Sequence, residues 1–278
     1  VRTLYVVGTP IGNLGDISAR AREALGAASR ILAEDTRRTK ALLAHLGISG
    51  KAVQRYDAHA TKQRIASLVA AIEEGRSVAL VTDAGMPGVS DPGAELVRAA
   101  ASDGVRIVPI PGPSAVTAAL AASGLVGGPF SFLAFLPRQG KKRRTALERI
   151  ARSEEPVVLF EAPSRLGETL RDLAGLDPKR KAALCRELTK VHEEVLVAPL
   201  GELAALEREW LGEVTIVIEA SSGAGERESD EPVDVDREIA GRLAKGESPR
   251  DLSIELARRL GVPRRSAYER ILVVRGKG

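Results

Sequence analysis

Short apolar runs alternate with amphipathic stretches from the first residues onward. Leu4-Tyr5-Val6-Val7 reads as a buried strand, Ile17 to Ala27 as a helix, Arg30-Ile31-Leu32-Ala33 as a second strand and Thr36 to Leu46 as a second helix. Between Thr61 and Glu74, Ile65, Leu68, Val69 and Ile72 recur at the spacing of one helix face. Ser77-Val78-Ala79-Leu80-Val81 is nearly all apolar, the pattern of a strand covered on both sides. A helix from Pro92 to Ser102 and a strand at Arg106-Ile107-Val108 complete this unit. Strands separated by helices predict an open, largely parallel α/β sheet.

The pattern weakens over Ser123–Pro129, which marks a junction. A second α/β set follows, with strands at Phe130–Phe135, Pro156–Phe160, Ala182–Arg186, Val195–Val197 and Glu213–Ile218, and helices starting near Arg143 and Ser164. Ser221 to Asp234 is rich in Ser, Gly, Glu and Pro and reads as a linker. Beyond it, Leu252, Leu256 and Leu260 lie four residues apart, Gly261-Val262-Pro263 breaks the pattern, and Arg264 to Leu272 starts again, the outline of a helix pair or helix-turn-helix. The division expected is 1–122, 123–222, a linker at 223–234 and a small helical unit at 235–278.

Charge sharpens the reading of that last unit. Of 41 Lys and Arg and 37 Asp and Glu in the 278 residues, the segment 237–278 holds 11 and 5, so a basic tail follows a near-neutral body. Such asymmetry suits a polyanionic partner, although a solvated helix face has the same composition. Cys185 is the single cysteine, and His45, His59 and His192 lack metal-ligand spacing, so no disulfide and no metal site is expected. No apolar run reaches the roughly 18 residues that cross a bilayer, and the start lacks a signal-peptide layout, so the expected compartment is the cytoplasm.

Three loops carry the candidate chemistry, each leaving the carboxyl end of a predicted strand. Gly8-Thr9-Pro10-Ile11-Gly12-Asn13-Leu14 follows the first strand, and it is neither a dinucleotide fingerprint nor a phosphate loop. Thr82 to Gly93 follows the most apolar strand; Asp91 is placed to cap the next helix with Pro92 in its first turn, and Asp83, an acid at a buried strand's end, needs a partner. Pro109-Ile110-Pro111-Gly112-Pro113-Ser114-Ala115 is a rigid turn that leaves Ser114 to cap a helix or to bind a ligand.

In order and wording these segments resemble the tetrapyrrole (corrin/porphyrin) methyltransferase superfamily, and within it the enzymes that 2′-O-methylate a cytidine of small-subunit ribosomal RNA. The resemblance rests on Val7–Leu14, Ala33-Glu34-Asp35-Thr36-Arg37, Asp83–Gly93, Pro111–Ala115, Phe135-Leu136-Pro137-Arg138, Phe160-Glu161-Ala162-Pro163-Ser164-Arg165 and Arg186-Glu187-Leu188-Thr189-Lys190. It implies two α/β domains of the tetrapyrrole methylase type with S-adenosylmethionine in the cleft between them, a small helical C-terminal domain, and a homodimer acting on 16S RNA of the 30S subunit at the decoding centre. Carried onto this sequence, the cofactor contacts are Pro10, Asp83, Gly85, Met86, Ser114 and Ala115 from the first half and Ala162 and Leu188 from the second. Met86 stands where the family usually has Thr, Ser164 where it has His, and Tyr56-Asp57-Ala58-His59 replaces a segment richer in His and Asn.

A ribose hydroxyl is a weak nucleophile, so a general base would help, and Glu34, Asp35, Glu161, Glu187 and Lys190 are the candidates; ion pairs with Arg37, Arg165 and Arg186 are the alternative role for the acids. For RNA contacts the basic run Arg138, Lys141, Lys142, Arg143 and Arg144 and the C-terminal Arg258, Arg259, Arg264 and Arg265 stand out, with solvated helix faces as the alternative. Only 3% of residues are aromatic, which argues against extensive base stacking. A tetrapyrrole C-methyltransferase, with the same fold and cofactor and no use for a basic tail, is the rival function; a non-enzymatic RNA-binding protein would leave the three loops unexplained.

Overall fold

The computed structural model describes residues 1–275 except 58–59, 73–74, 92, 222–234, 245–246 and 261–262, with the backbone alone at 237–238 and 258–260. The expectations about Pro92, the end of the helix at Glu74, most of the linker and the Gly261-Val262 break fall outside the described residues.

The first half is a five-stranded sheet of β1 (Thr3–Val7), β2 (Arg30–Ala33), β3 (Ala52–Arg55), β4 (Ser77–Val81) and β5 (Arg106–Ile110), in the order β3-β2-β4-β1-β5. Every pairing in it is parallel. Period-two alternation sends the strand side chains to two cores. Leu4, Leu32, Val78 and Leu80 pack with Ile65 and Leu68 of α3 (Lys62–Ala70) and Leu96 of α4 (Gly93–Ser102). Their neighbours Val7, Ile31, Ala33, Ala79 and Val81 pack on the other face, with Leu25 of α1 (Ala19–Ala27) and Leu43 of α2 (Thr36–His45). Burial on both faces is why β4 reads as a continuous apolar run. The sequence pattern misses β3, a short edge strand with no buried residue, because its partner β2 supplies the reason for its conformation.

Helix starts follow capping chemistry. Ser18, Asp35 and Thr61 accept backbone N–H bonds at the N-termini of α1, α2 and α3. α5 (Ala115–Ser123) ends at Gly124 in the left-handed region.

The second sheet has the order β6-β7-β10-β8-β9, from β6 (Ser131–Phe135), β7 (Val157–Glu161), β8 (Lys181–Arg186), β9 (Glu194–Pro199) and β10 (Val214–Ile218). Only β6 and β7 pair parallel; the other three pairings are antiparallel. α7 (Pro163–Leu176) and α8 (Leu200–Ala204) cover one face through Leu166, Leu170, Leu173, Leu200 and Leu203, and Ile150 of α6 (Gly140–Ala151) joins the same core. The opposite face, Val158, Ala183, Cys185 and Val217, is covered by Val116 and Ala119 of α5 together with Ile11 and Leu188. A helix that follows the first sheet thus closes the second, and the halves form one compact unit over Val1–Ala224. The Cys185 thiol lies in that core, where burial pushes its pKa up to about 11, so it is a packing residue.

Gly225–Gly278 form a separate unit. Its helices α9 (Val235–Ala244), α10 (Pro249–Leu260) and α11 (Arg264–Arg275) bury Ile239, Leu252, Leu256, Ala267 and Ile271.

Candidate active site

The carboxyl ends of the adjacent strands β4, β1 and β5 carry the three loops, and the loops are locked together. Thr9 and Gly85 exchange backbone bonds, N–H to O at 2.9 and 3.1 Å, and the Thr9 hydroxyl donates to Thr82 O at 3.1 Å. Gly8 and Gly112 meet backbone to backbone: a β-carbon on Gly8 would lie 2.7 Å from the Gly112 Cα. Loop one also reaches the second half, where Asn13 N–H donates to Thr189 Oγ1 at 3.0 Å.

These loops form one wall of a cavity of about 470 Å³, within the range of ligand sites. Ile11, Glu34, Arg38, Asp83, Gly85, Met86, Ser114 and Ala115 line it from the first half; Phe135, Phe160, Glu161, Ala162, Glu213 and Thr215 line it from the second. Of the eight cofactor contacts expected from sequence, Asp83, Gly85, Met86, Ser114, Ala115 and Ala162 line this cavity. Pro10 and Leu188 do not: Pro10 is buried, and Leu188 packs with Ile11 and Val116 in the core beneath.

Polar groups in the cavity divide by how far they are already bonded. Ser114 is the residue before α5, yet its side chain makes no capping bond, which leaves its hydroxyl for a ligand. Asp83 is half-buried rather than buried, and the protein itself supplies the partner its position demands. Its Oδ1 accepts Asp35 N–H at 3.0 Å, and Oδ2 lies 3.5 Å from Arg38. Asp91 Oδ1 accepts the N–H groups of Gly88 and Gly93 at 2.7 and 2.9 Å, capping α4 as its position predicts.

The five base candidates separate clearly. Asp35 caps α2, and the Arg37 and Arg38 amides hold its carboxyl below the usual range. Glu161 is buried with both oxygens engaged: Oε1 by Ala162 N–H at 2.8 Å and by Arg165, Oε2 by the Thr169 hydroxyl at 2.7 Å. Lys190 Nζ lies 2.8 Å from Glu187 and 3.0 Å from Glu213. Hydrogen bonds from Lys190 and the Glu213 amide depress the Glu187 carboxyl. Burial opposes the charge on Lys190, but Glu187 and Glu213 raise its pKa above normal, so the ammonium persists. Glu34 faces the cavity and accepts one bond, from the Thr82 hydroxyl at 2.9 Å. Among the arginines weighed as partners, Arg165 pairs with Glu161, whereas Arg186 binds Glu194 at 3.0 Å.

The basic run needs a correction. Arg138, Lys141, Lys142 and Arg144 are exposed, but Arg143 is buried, with 6% of its surface exposed. Its guanidinium binds Asp172 at 2.7 and 2.9 Å, Thr169 at 3.1 Å and Pro137 O at 3.2 Å, so it joins α6 to α7 instead of facing a polyanion. One helical turn places Arg143 on the inner face of α6, a periodicity hidden within a run of cations. Arg264 and Arg265 are exposed, Arg265 pairing with Glu269 at 3.0 Å; the side chains of Arg258 and Arg259 fall outside the described residues. Glu213, Thr215, Phe135 and Arg38 line the site without having been expected there. Phe135 and Glu213 sit at strand ends, which was the available signal.

The profile of a family described as Tetrapyrrole (Corrin/Porphyrin) Methylases matches residues 3–204. A protein of Halalkalibacterium halodurans named ribosomal RNA small subunit methyltransferase I is 42% identical over 276 residues, covering 96% of this chain and 93% of its own length. The protein of that name from Escherichia coli O157:H7 is 40% identical, covering 98% and 96%. Among solved structures, diphthine synthase superposes with a TM-score of 0.62 at 20% identity over 78% of this chain and 90% of its own. Uroporphyrin-III-C-methyltransferase from Thermus thermophilus does so with 0.56 at 21% over 79% and 94%. The chain belongs to the tetrapyrrole methylase family and, within it, to the family of these small-subunit ribosomal RNA methyltransferases.

Proposed function

We propose that this chain transfers a methyl group from S-adenosylmethionine to 16S RNA of the small ribosomal subunit, at the ribose 2′-hydroxyl of a cytidine. The observation that carries this reading is the cavity between the two halves, in a chain about 40% identical along nearly its whole length to named ribosomal RNA methyltransferases. The residues present fit the cofactor. Ser114 offers a hydroxyl that makes no capping bond, Asp83 offers a carboxylate for an ammonium, and Ile11, Met86 and Ala115 offer apolar surface. S-adenosylmethionine supplies, when bound, a methyl group already activated on sulfur.

The protein's part is to hold the acceptor hydroxyl in line and to exclude water, an arrangement that contributes about 7–11 kcal/mol in well-oriented systems. Asp35, Glu161, Glu187 and Lys190 are committed to structural bonds, so Glu34 is the candidate left to take the hydroxyl proton. The lining also weighs against a tetrapyrrole acceptor. Glu34, Asp83, Asp91, Glu161 and Glu213 surround the cavity and, among the described residues, Arg38 is the one cation lining it, a poor receptor for a polycarboxylate. The polyanion is met outside, by Arg138, Lys141, Lys142 and Arg144 and by the C-terminal Arg264 and Arg265. A homodimer in the cytoplasm completes the reading.

The test is transfer of labelled methyl from S-adenosylmethionine to 30S subunits lacking the modification, with free 16S RNA and uroporphyrinogen in parallel. Label in RNA that survives alkaline hydrolysis as a dinucleotide is expected. Label in the tetrapyrrole alone would overturn the acceptor and leave the fold standing.

A further inference from the structure

β6 ends irregularly. Its pairing with β7 runs from Ser131↔Val157 through Phe132↔Val158 and then slips, resuming at Phe135↔Phe160. Within the slip Ala134 takes φ 54°, a left-handed conformation that a residue with a β-carbon adopts at a cost. A bulge of this kind re-aims the following side chain. The side chain it re-aims is Phe135, 53% exposed although aromatic, in a chain with four phenylalanines. Its ring leans on Phe160, centroids 5.6 Å apart at 58°, and Phe160 is braced from behind by Phe132 at 5.0 Å.

Phe135 stands between two hollows. It lines the proposed methyl-donor cavity, and with Ala162 it also lines a second one of about 610 Å³, whose other walls are Leu136, Pro137, Arg138, Ser164 and Arg165. Arg165 is held by Glu161 and by Leu136 O at 3.2 Å, whereas Arg138 is exposed and forms no ion pair with any described residue. The second hollow therefore presents an aromatic face, apolar walls and a free guanidinium, and it opens beside the donor. The exposed Lys141, Lys142 and Arg144 continue the positive charge along α6.

We infer that this second hollow receives the acceptor nucleotide, splayed from its RNA, with the base stacked on the Phe135 ring and a flanking phosphate on Arg138. The inference deepens the proposed function and rests on it. In-line transfer needs the ribose seated against the donor, a position that a nucleotide splayed from a single-stranded segment can take, and bases of such segments are held on aromatic rings. One ring suffices for one base, so the low aromatic content is no obstacle. Each base–aromatic stack changes affinity roughly 5- to 150-fold.

The test uses the full chain with 30S subunits lacking the modification, comparing wild type with Phe135→Ala, Phe135→Leu, Phe135→Trp and Arg138→Ala. Expected are a loss of about 10- to 100-fold in kcat/KM for 30S in Phe135→Ala, a comparable loss in Phe135→Leu and retention in Phe135→Trp. Calorimetric affinity for S-adenosylmethionine should stay within about twofold in Arg138→Ala, whereas Phe135→Ala and Phe135→Leu, whose side chain also lines the donor cavity, should lose clearly more in kcat/KM for 30S than in cofactor affinity; Arg138→Ala should flatten the salt dependence of 30S binding by roughly one phosphate contact. Wild-type activity in Phe135→Ala, Phe135→Leu matching Phe135→Trp, or equal loss of cofactor affinity would overturn the stacking role while the methyltransferase reading stands. A wild-type enzyme that labels no RNA would overturn that reading and this inference with it.

Discussion

Gly8 and Gly112 face each other so closely that a β-carbon built on either meets the other's backbone, at 2.7 Å from Gly8 and 2.8 Å from Gly112. Neither has a positive φ, so the requirement is for space, not for conformational freedom. This contact brings the loop after β1 against the loop after β5, close in sequence to Ser114. Gly112→Ala is expected to cost about 1–3 kcal/mol, the usual scale for overpacking, and to weaken S-adenosylmethionine binding. Chemical denaturation and calorimetry check both, with Gly127→Ala as the neutral control because its β-carbon would meet nothing within 4 Å. Unchanged affinity in a folded Gly112→Ala would show that the contact does not shape the site.

Asp83 links loop two to the start of α2 through the Asp35 amide and Arg38. Asp83→Ala removes a charge-assisted bond, a loss of about 1.5–3 kcal/mol, and should lower cofactor affinity tenfold or more. Asp83→Asn can still accept from Asp35 and should fall between Ala and wild type. A titration showing wild-type affinity for the Ala variant would remove Asp83 from the cofactor site.

Glu161 lines the cavity, yet its oxygens already accept from Ala162, Arg165 and Thr169. Replacing it with Gln turns one acceptor into a donor among donors and leaves Arg165 without its counter-charge. The expected result is a loss of about 3–5 kcal/mol in stability, the scale of a broken buried pair. A variant as stable as wild type but with kcat reduced more than a hundredfold would instead make Glu161 the base.

Arg143 and its neighbours should behave oppositely. Arg143→Ala is expected to lower stability by about 1–3 kcal/mol and leave the salt dependence of 30S binding unchanged. Changing Lys141, Lys142 and Arg144 together to Ala should leave the melting temperature within a few degrees and reduce the salt slope by roughly two to three. A reduced slope in Arg143→Ala, with the fold intact, would return it to the RNA surface.

The hairpin of β8 and β9 is held to the segment before β10 by Glu194, which accepts from Arg208 at 2.9 Å and from Arg186 at 3.0 Å. Arg208, with help from Arg186 and against burial, depresses its pKa to about 2 from the ordinary 4.5. A carboxyl lowered on folding stabilises the folded state above the unfolded pKa and loses that contribution as pH falls through the folded one. Stability should therefore decline between pH 4.5 and about 2, and this part of the decline should vanish in Glu194→Gln. Parallel acid denaturation curves for the two proteins would contradict the assignment.

The sequence alone settled what depends on neighbours along the chain. Short apolar runs and helical periodicity placed β1, β2, β4 and most helices, and Asp91 was placed before α4, where it accepts the Gly93 N–H. Glycine and proline spacing marked the three loops, and six of eight expected cofactor residues share one cavity. What the tertiary structure decided were matters of partnership across the chain. The edge strand β3 takes its conformation from β2, and the second sheet is antiparallel apart from β6 and β7, because β10 and β8 pair antiparallel with β7 and β9. Asp83 finds Asp35 48 residues away, Arg143 finds Asp172 29 residues away, and Phe135 is turned outward by a register slip against β7. Local pattern reports which face of an element is apolar. It cannot report which distant group will satisfy a charge, because that choice is made only when folding closes the loops between them.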